Sequence, residues 1–398
     1  MIDELDKQFN KLSVSNKKHL GQYFTTNIEL KEKVFSFILN NPSIILEPSI
    51  GQGDLVVYIK DKLTNVNFDM FEIDTSIKLL DTIDKDKVIY CDFIKYENIT
   101  QKYKTIAGNP PYIKIKKGNM YIKFIEKCYD LLDLDGELIF IVPSDFFKLT
   151  SASKLLQIMM DNGTFTHIFH PHNEKMFENA NIDIIIFRYC KGNFENKTLY
   201  NDNILYIVNK NGLITFEKEI QINNILFQDY FNIYVGIVSG KDEIYKNTDL
   251  GNIEVLNGIN KIEKYIYIDK YPSDNEKINE YLLKHKELLL ERKIKKFTDK
   301  NWFEWGAPRN ITTINNNLDK DCIYIYNLTR KLDQIAFIGK VGYFGGGLIA
   351  LIPKNKMDLN KIITYLNSTT FTHNFIYSGR FKIGHRQISN SSIPEKYL

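Results

Sequence analysis

Between residues 43 and 189 the chain alternates short apolar runs with amphipathic ones, and this alternation limits the fold more than any other feature. The apolar runs are SIIL (43–46), 67–71, KVIY (87–90), 105–107, GELIFIV (136–142), 165–169 and DIIIFRY (183–189). Helical spacing of apolar residues predicts helices over 27–39, 54–63, 75–84, 120–132 and 151–161. Strands this short and this apolar, separated by helices, predict βαβ units. The expected fold is α/β, a doubly wound, mostly parallel sheet whose ligand crevice lies at the carboxyl ends of its strands. Beyond about residue 230 the rhythm gives way to Asn- and Lys-rich segments, a charged helix over 276–296 and an aromatic strand, CIYIY, over 322–326. Two domains are therefore expected, 1–230 and 231–398, the second of α+β type.

Composition narrows the partners. The 398 residues suffice for two or three cores. No run of about 18 apolar residues predicts a membrane helix, and the mixed-charge start MIDELDKQFNKLS lacks the apolar core of a signal peptide. A cytoplasmic protein is expected, in a bacterial cell or in a host cell if the source is viral. Cys91, Cys128, Cys190 and Cys322 lie far apart and form neither a CxxC pair nor a zinc spacing. His170 and His172 occur in HPH without a nearby Cys or carboxylate, so no metal is expected. The net charge of +3 is unevenly spread: residues 1–239 carry −4 and residues 240–398 carry +7. A basic second half suits a polyanion.

Three of the predicted strands end in acids at the same rim. SIIL runs into EPSIGQGD, where Gly51 and Gly53 permit positive φ and close approach of a ligand, and the next helix points its amides at the loop. No G-K-[ST] follows, so this is not a triphosphate loop, and the full G-x-G-x-x-G pattern is absent. The second strand ends at Glu72 in FEID, about where an acid hydrogen-bonds a ribose diol in such sheets. The third ends in CDF, where Asp92 can accept from an adenine amine and Phe93 can cover the ring. Together these predict a nucleoside ligand without a triphosphate.

The fourth strand stops at AGNPPY, residues 107–112. Proline fixes its φ and cannot donate to a ladder, so the chain leaves the sheet stiffly. Asn109 supplies an amide oxygen, Pro110 a carbonyl of fixed direction and Tyr112 a flat ring. Two acceptors and a stacking face suit the exocyclic amine of a planar base.

These stretches, in this order, resemble the gamma-class, TaqI-type N6-adenine DNA methyltransferases, which use S-adenosyl-L-methionine. The resemblance runs from about residue 20 to 189 through LGQYFT, EPSIGQGD, FEID, CDF, NPPY, MYIKFIEKCYDLL and GELIFIVPSDFF. It implies that Thr25 and Thr26, with Gly51, line the methionine end of the cofactor and that Glu47 lies beside it. It implies that Glu72 holds the ribose, and Asp92 and Phe93 the adenine. Asn109 and Pro110 would accept from the target N6 amine, and Tyr112 would stack on the flipped base. Tyr189 matches the second stacking aromatic, where the family often has Phe. The insert after the motif is short (IKIKKGN), and its Lys114, Lys116 and Lys117 are either phosphate contacts or a solvated loop. In the basic half, expected to be the DNA target-recognition domain, Trp302, Trp305 and Arg309 and then Arg380, Lys382, His385 and Arg386 are candidates for base or phosphate contacts. The Trp pair fits a core equally well, and GYFGGGLIAL (342–351) reads as a turn between strands.

The implied partner is double-stranded DNA, acted on by a monomer, with any cognate restriction endonuclease on a separate chain, since little precedes LGQYFT. Glutamine methyltransferases acting on release factors share NPPY but end sooner. RNA N6-adenine methyltransferases and a non-catalytic DNA-specificity subunit are the remaining alternatives.

Overall fold

The computed structural model describes residues 23–116, 118–178, 180–219, 225–329, 332–374 and 382–398. Lys117 and Arg380, named above, and residues 20–22 of LGQYFT lie outside the described residues. The described residues divide into two compact units, 23–219 with Asn374, and 225–373 with 382–398. Residues 225–230 fall in the second unit because Leu226 bridges to Ser392 and the Ile225 carbonyl accepts from Ile393.

The first unit is built on a ten-stranded sheet. Its strands are β1 (Ile44–Glu47), β2 (Asn67–Glu72), β3 (Val88–Tyr90), β4 (Tyr103–Gly108), β7 (Leu132–Pro143), β8 (Gly163–Phe169), β9 (Ile184–Lys191), β10 (Lys197–Tyr200), β11 (Asn203–Lys210) and β12 (Leu213–Glu217). Two more strands, β5 (Lys114–Ile115) and β6 (Gly118–Asn119), form a separate hairpin. The order across the large sheet is β12-β11-β10-β8-β9-β7-β4-β1-β2-β3. Strands β3, β2, β1, β4 and β7 run parallel, so they present their carboxyl ends along one rim. Strand β9 inserts antiparallel between β7 and β8, which places its first residues at that rim.

Helices α1 (Ile28–Ser36), α2 (Asp54–Lys62), α3 (Met120–Leu131) and α4 (Ser153–Asp161) cover the sheet. The Asn27 side chain starts α1 by accepting from the Glu29 amide. Helix α3 buries Tyr121, Ile122, Phe124, Ile125, Cys128 and Leu131, a stripe at three- and four-residue spacing. Burying each of its large apolar side chains contributes about 1.5–3 kcal/mol, which holds this helix against the sheet whatever its solvent face carries.

Two expected helices differ. Residues 75–84 form turns rather than a helix. The Asp74 carboxylate takes both the Ser76 amide and hydroxyl, a local bond that competes with helix formation. The Leu80 amide donates to the Gln52 carbonyl, and the Ile83 side chain would meet a Cβ at Gly53 at 2.7 Å. The segment is thus spent on buttressing the glycine loop. The expected helix over 276–296 breaks at His285, whose φ of −106° and ψ of 9° leave the helical range, into Glu276–Lys284 and Lys286–Leu290. Beyond it Arg292 is buried, donating to the carbonyls of Leu289, Ser239, Glu304 and Trp302.

The second unit holds an antiparallel four-stranded sheet in the order β13-β18-β16-β17 (Phe231–Val235, Leu348–Pro353, Asp321–Tyr326, Ala336–Lys340), and a hairpin of β14 (Ile253–Gly258) and β15 (Lys261–Tyr265). Trp302 and Trp305 are core residues, and Trp305 Nε1 donates to the Ile266 carbonyl. Residues 341–347 connect β17 to β18, as a turn between strands should.

Candidate active site

The rim of β1–β4 gathers the residues singled out in the sequence. Glu47 ends β1, Glu72 ends β2, Cys91 and Asp92 follow β3, and Asn109 follows β4. All of these but Glu47 line a cavity of about 140 Å³, together with Phe24, Gly51 and Phe93 among others. A smaller cavity of about 30 Å³, lined by Thr25, Glu47, Gly51 and Asp54 among others, lies beside the same loop.

The glycine loop and Glu72 are built around each other. Gly51 (φ 58°) donates its amide to Glu72 Oε2 at 2.9 Å, and Ile73 and Asp74 donate theirs to Oε1, each at 2.9 Å. A carboxylate offers about four lone-pair sites, so three amides leave room for one more donor, such as a sugar hydroxyl. Burial pushes the Glu72 carboxyl above its usual range, against the pull of those amides. Phe93 is buried, stacks on Phe124 at 5.5 Å and meets Phe71 edge-on at 5.1 Å, forming an apolar wall. Asp92 is partly exposed beside it, held by the Ile94 amide and by Lys95 at 3.0 Å.

Glu47 is a strongly perturbed acid. Burial lifts its pKa to about 8, with Glu72 adding repulsion and the Ser49 amide opposing. A Cβ at Gly108 would sit 2.5 Å from Glu47 Oε1, so only glycine lets the β4 backbone pass that carboxyl.

Asn109 is held in one orientation. Its Nδ2 donates to the Tyr23 carbonyl at 2.7 Å and to Thr25 Oγ1 at 3.1 Å, which uses both amide hydrogens. Its Oδ1 therefore faces the other way, where the Tyr112 hydroxyl donates to it at 2.7 Å. That hydroxyl also lies 3.0 Å from the Ile141 carbonyl. Pro110 is buried, and among the described residues no donor takes its carbonyl oxygen. The Tyr112 ring stacks on Tyr23 at 5.3 Å and meets Phe177 edge-on at 6.2 Å. Burial pushes the Tyr112 phenol well above its usual pKa, so it stays a neutral donor.

Two expected site residues lie elsewhere. Tyr189 is fully buried, and its hydroxyl donates to the Met159 carbonyl at 2.8 Å. Because β9 is antiparallel, it is Ile184, paired with Pro143, that reaches the rim, while Tyr189 pairs with Leu138 deeper along β7. The rings beside Tyr112 are Tyr23, Tyr121 and Phe177, the last in the loop between β8 and β9. The signal for Phe177 was the MFENAN stretch ahead of DIIIFRY. Thr26 is exposed and donates to Glu178 at 3.2 Å, whereas Thr25 is buried against Asn109. Neighbours in an extended segment point to opposite sides, so only one threonine faces the cavity.

Tyr23 is a further residue that sequence reasoning passed over, although it sat inside LGQYFT. Lys114 is exposed on β5 and Lys116 in the turn of the hairpin. In the second unit Arg309 and Lys382 are exposed, while Arg386 is half-buried on the short helix His385–Ser389. His385 bonds the Ile233 carbonyl at 2.9 Å.

Residues 2–177 match the Eco57I restriction-modification methylase family. Over 220 residues the chain is 33% identical to the type II methyltransferase M.HincII of Haemophilus influenzae, covering 49% of this chain and 41% of that protein. It is 28% identical over 214 residues to M.MjaIV of Methanocaldococcus jannaschii, covering 45% of this chain and 70% of that one. The chain thus spans about two-fifths of the relative named first. Among solved structures, the type IIL restriction-modification enzyme MmeI, in complex with DNA, aligns with 99% of this chain and 68% of its own, with a TM-score of 0.59 at 13% identity. The resemblance drawn from the motifs, to an S-adenosylmethionine-dependent DNA methyltransferase of Rossmann-like fold, holds at that level; the comparisons specify no class.

The residues present fit S-adenosyl-L-methionine. The two cavities are lined by Glu47, Asp54, Glu72 and Asp92 and by no lysine or arginine. Such a lining suits a sulfonium and an ammonium and opposes a triphosphate. Glu72 would hold the ribose, Asp92 and Phe93 the adenine, and Thr25, Glu47 and Gly51 the methionine end.

Proposed function

We propose that the protein methylates N6 of an adenine flipped out of double-stranded DNA, as a gamma-class enzyme of the EC 2.1.1.72 type. One observation carries this reading above the others: Asn109 is turned by Tyr23 and Thr25 so that its Oδ1 lies on the side of Tyr112, whose ring packs with those of Tyr23 and Phe177. The ring cluster suits a planar base, and the paired acceptors suit its amine.

S-adenosyl-L-methionine, when bound, supplies an electrophilic methyl group. The chain's own contribution is orientation and fixed charge. The N6 lone pair of adenine is delocalised into the ring, which makes the amine a poor nucleophile. Hydrogen bonds from its two hydrogens to Asn109 Oδ1 and the Pro110 carbonyl favour a pyramidal nitrogen whose lone pair points away from both acceptors. The proline ring fixes one acceptor, and two hydrogen bonds fix the other, so little reorganises during transfer. When the amine takes Asn109 Oδ1, the Tyr112 hydroxyl keeps the Ile141 carbonyl, and no buried donor is left unpaired. Unstacking a base costs a few kcal/mol, and stacking in the cluster offsets it by about 1–3 kcal/mol.

Expression in a methylation-deficient host, followed by single-molecule sequencing of its DNA, tests the reading. N6-methyladenine in one sequence motif, absent with Asn109→Ala, is expected. Methyl groups on cytosine, or on RNA alone, would refute it.

A further inference from the structure

A chain of polar groups, buried except for the half-buried Asp183, runs along the rim next to the aromatic cluster, contributed in turn by the four neighbouring strands β10, β8, β9 and β7. The Tyr200 hydroxyl, at the end of β10, lies 2.8 Å from His170 Nδ1. His170, just past β8, places Nε2 at 2.9 and 3.1 Å from the two oxygens of Asp183, the residue before β9. Asp183 in turn accepts from the hydroxyl of Ser144, which follows β7. His170 is 2% exposed, while its partner Asp183 is half-buried. In this arrangement Nε2 carries the hydrogen toward Asp183, and against the burial that would raise it, the His170 bond and charge and the Ser144 bond hold that carboxyl below its usual pKa. His172 packs on His170 at 3.9 Å between ring centroids, and burial beside its neighbour lowers its own pKa to about 4.

His170 and Asp183 are the two ends of one loop, and that loop carries Phe177. Each end is also held through its backbone. Asn201 takes the His170 amide at 2.8 Å and returns its own amide to the His170 carbonyl at 3.2 Å. The Ser144 amide donates to the Asp183 carbonyl at 3.0 Å. Within the loop, the Ile182 amide reaches the Glu174 carbonyl at 2.9 Å, and Phe177 bridges to Ala180. Phe177 packs against Tyr23 at 5.5 Å and Tyr112 at 6.2 Å.

We propose that His170 and Asp183 are positioning residues that clamp this loop shut at its base and so hold Phe177 in the wall of the target-base pocket. The inference rests on the base-flipping function proposed above. A loop of this length with free ends would sample many placements of its tip, and the ring's stacking contribution depends on one of them. The histidine reading as a loop residue in HPH is thereby refined: the carboxylate it meets comes from Asp183, 13 residues on.

The test uses the whole protein and a duplex carrying 2-aminopurine at the adenine of whichever motif sequencing identifies. Asp183→Leu and His170→Leu should each weaken the fluorescence response to base flipping and raise KM for DNA about tenfold, the size expected for one lost buried hydrogen bond. Cofactor affinity should stay within about twofold of wild type, since neither residue lines that cavity. Asp183→Asn keeps one acceptor oxygen, which His170 and Ser144 must share, and should restore part of the response. Asp183→Leu added to Phe177→Ala should cost nothing further, because the clamp acts through that ring. Additive losses, or a fall in cofactor affinity parallel to the fall in DNA response, would overturn the clamp while leaving the methyltransferase reading intact. Wild-type protein that binds cofactor but methylates no DNA would overturn both.

Discussion

Replacing Glu47 with glutamine should stabilise the cofactor-free protein, and more so as pH rises. The carboxyl is 3% exposed, and its pKa is lifted from 4.5 to about 8 by burial. In the unfolded chain the same group titrates near its ordinary value. Between pH 4.5 and 8 the folded protein therefore holds a proton that the unfolded chain has released, so stability falls as pH rises through that window. Each pKa unit corresponds to about 1.4 kcal/mol, giving a loss on the order of 3 kcal/mol at pH 7 and 5 kcal/mol at pH 9 relative to acid conditions. Glutamine keeps the oxygen that accepts from the Ser49 amide but has no proton to lose. Any difference in packing between amide and acid is independent of pH, so the slope isolates the ionisation. Two compact units need not unfold together, so the measurement should report the first unit alone. Hydrogen exchange of the β1 and β4 amides, compared between variant and wild type at pH 5, 7 and 9, does so. A stability difference that is flat across those pH values would refute the reasoning. With saturating S-adenosyl-L-methionine the wild-type slope should shrink, and cofactor binding at pH 7 should release close to one proton, read by calorimetry in buffers of different ionisation enthalpy.

Four further outcomes are expected. Asn109→Ala should reduce methyl transfer by at least about a hundredfold, the scale of one lost electrostatic donor or acceptor in an active site, with cofactor affinity nearly unchanged in equilibrium dialysis. Tyr112→Phe should keep most of the response to a flipped 2-aminopurine, whereas Tyr112→Ala should lose about 1–3 kcal/mol of it; equal losses would assign the effect to the hydroxyl. Gly108→Ala should lower both thermal stability and cofactor affinity, because its new methyl group would sit 2.5 Å from Glu47 Oε1. Tyr189→Phe should cost about 1 kcal/mol of stability through its lost bond to the Met159 carbonyl and leave DNA methylation unchanged; a drop in base-flipping signal would return that ring to the pocket.

The parts of this molecule that could be read in advance are those whose signal is local. Strands β1–β4 are short apolar runs, and their parallel pairing forces their last residues onto one rim, so Glu47, Glu72, Asp92 and Asn109 could be brought together without coordinates. The misplaced residues depended on direction or on competition at a distance. By resemblance Tyr189 matches a second stacking aromatic, yet an antiparallel strand brings its beginning, not its end, to the rim. Nothing within DIIIFRY states which way it runs; that follows from its pairing with β7 and β8. The same reversal explains why Phe177, upstream of the strand, packs on Tyr112 and why Asp183, the residue before the strand, meets His170. Residues 75–84 have helical spacing, but their amides and apolar side chains are claimed by Asp74, Gln52 and Gly53. Local pattern thus decides which residues form an element and leaves its polarity in the sheet to partners far along the chain. In this fold the polarity of β9 sets Ile184, and the loop before it that carries Phe177, rather than Tyr189, toward the rim.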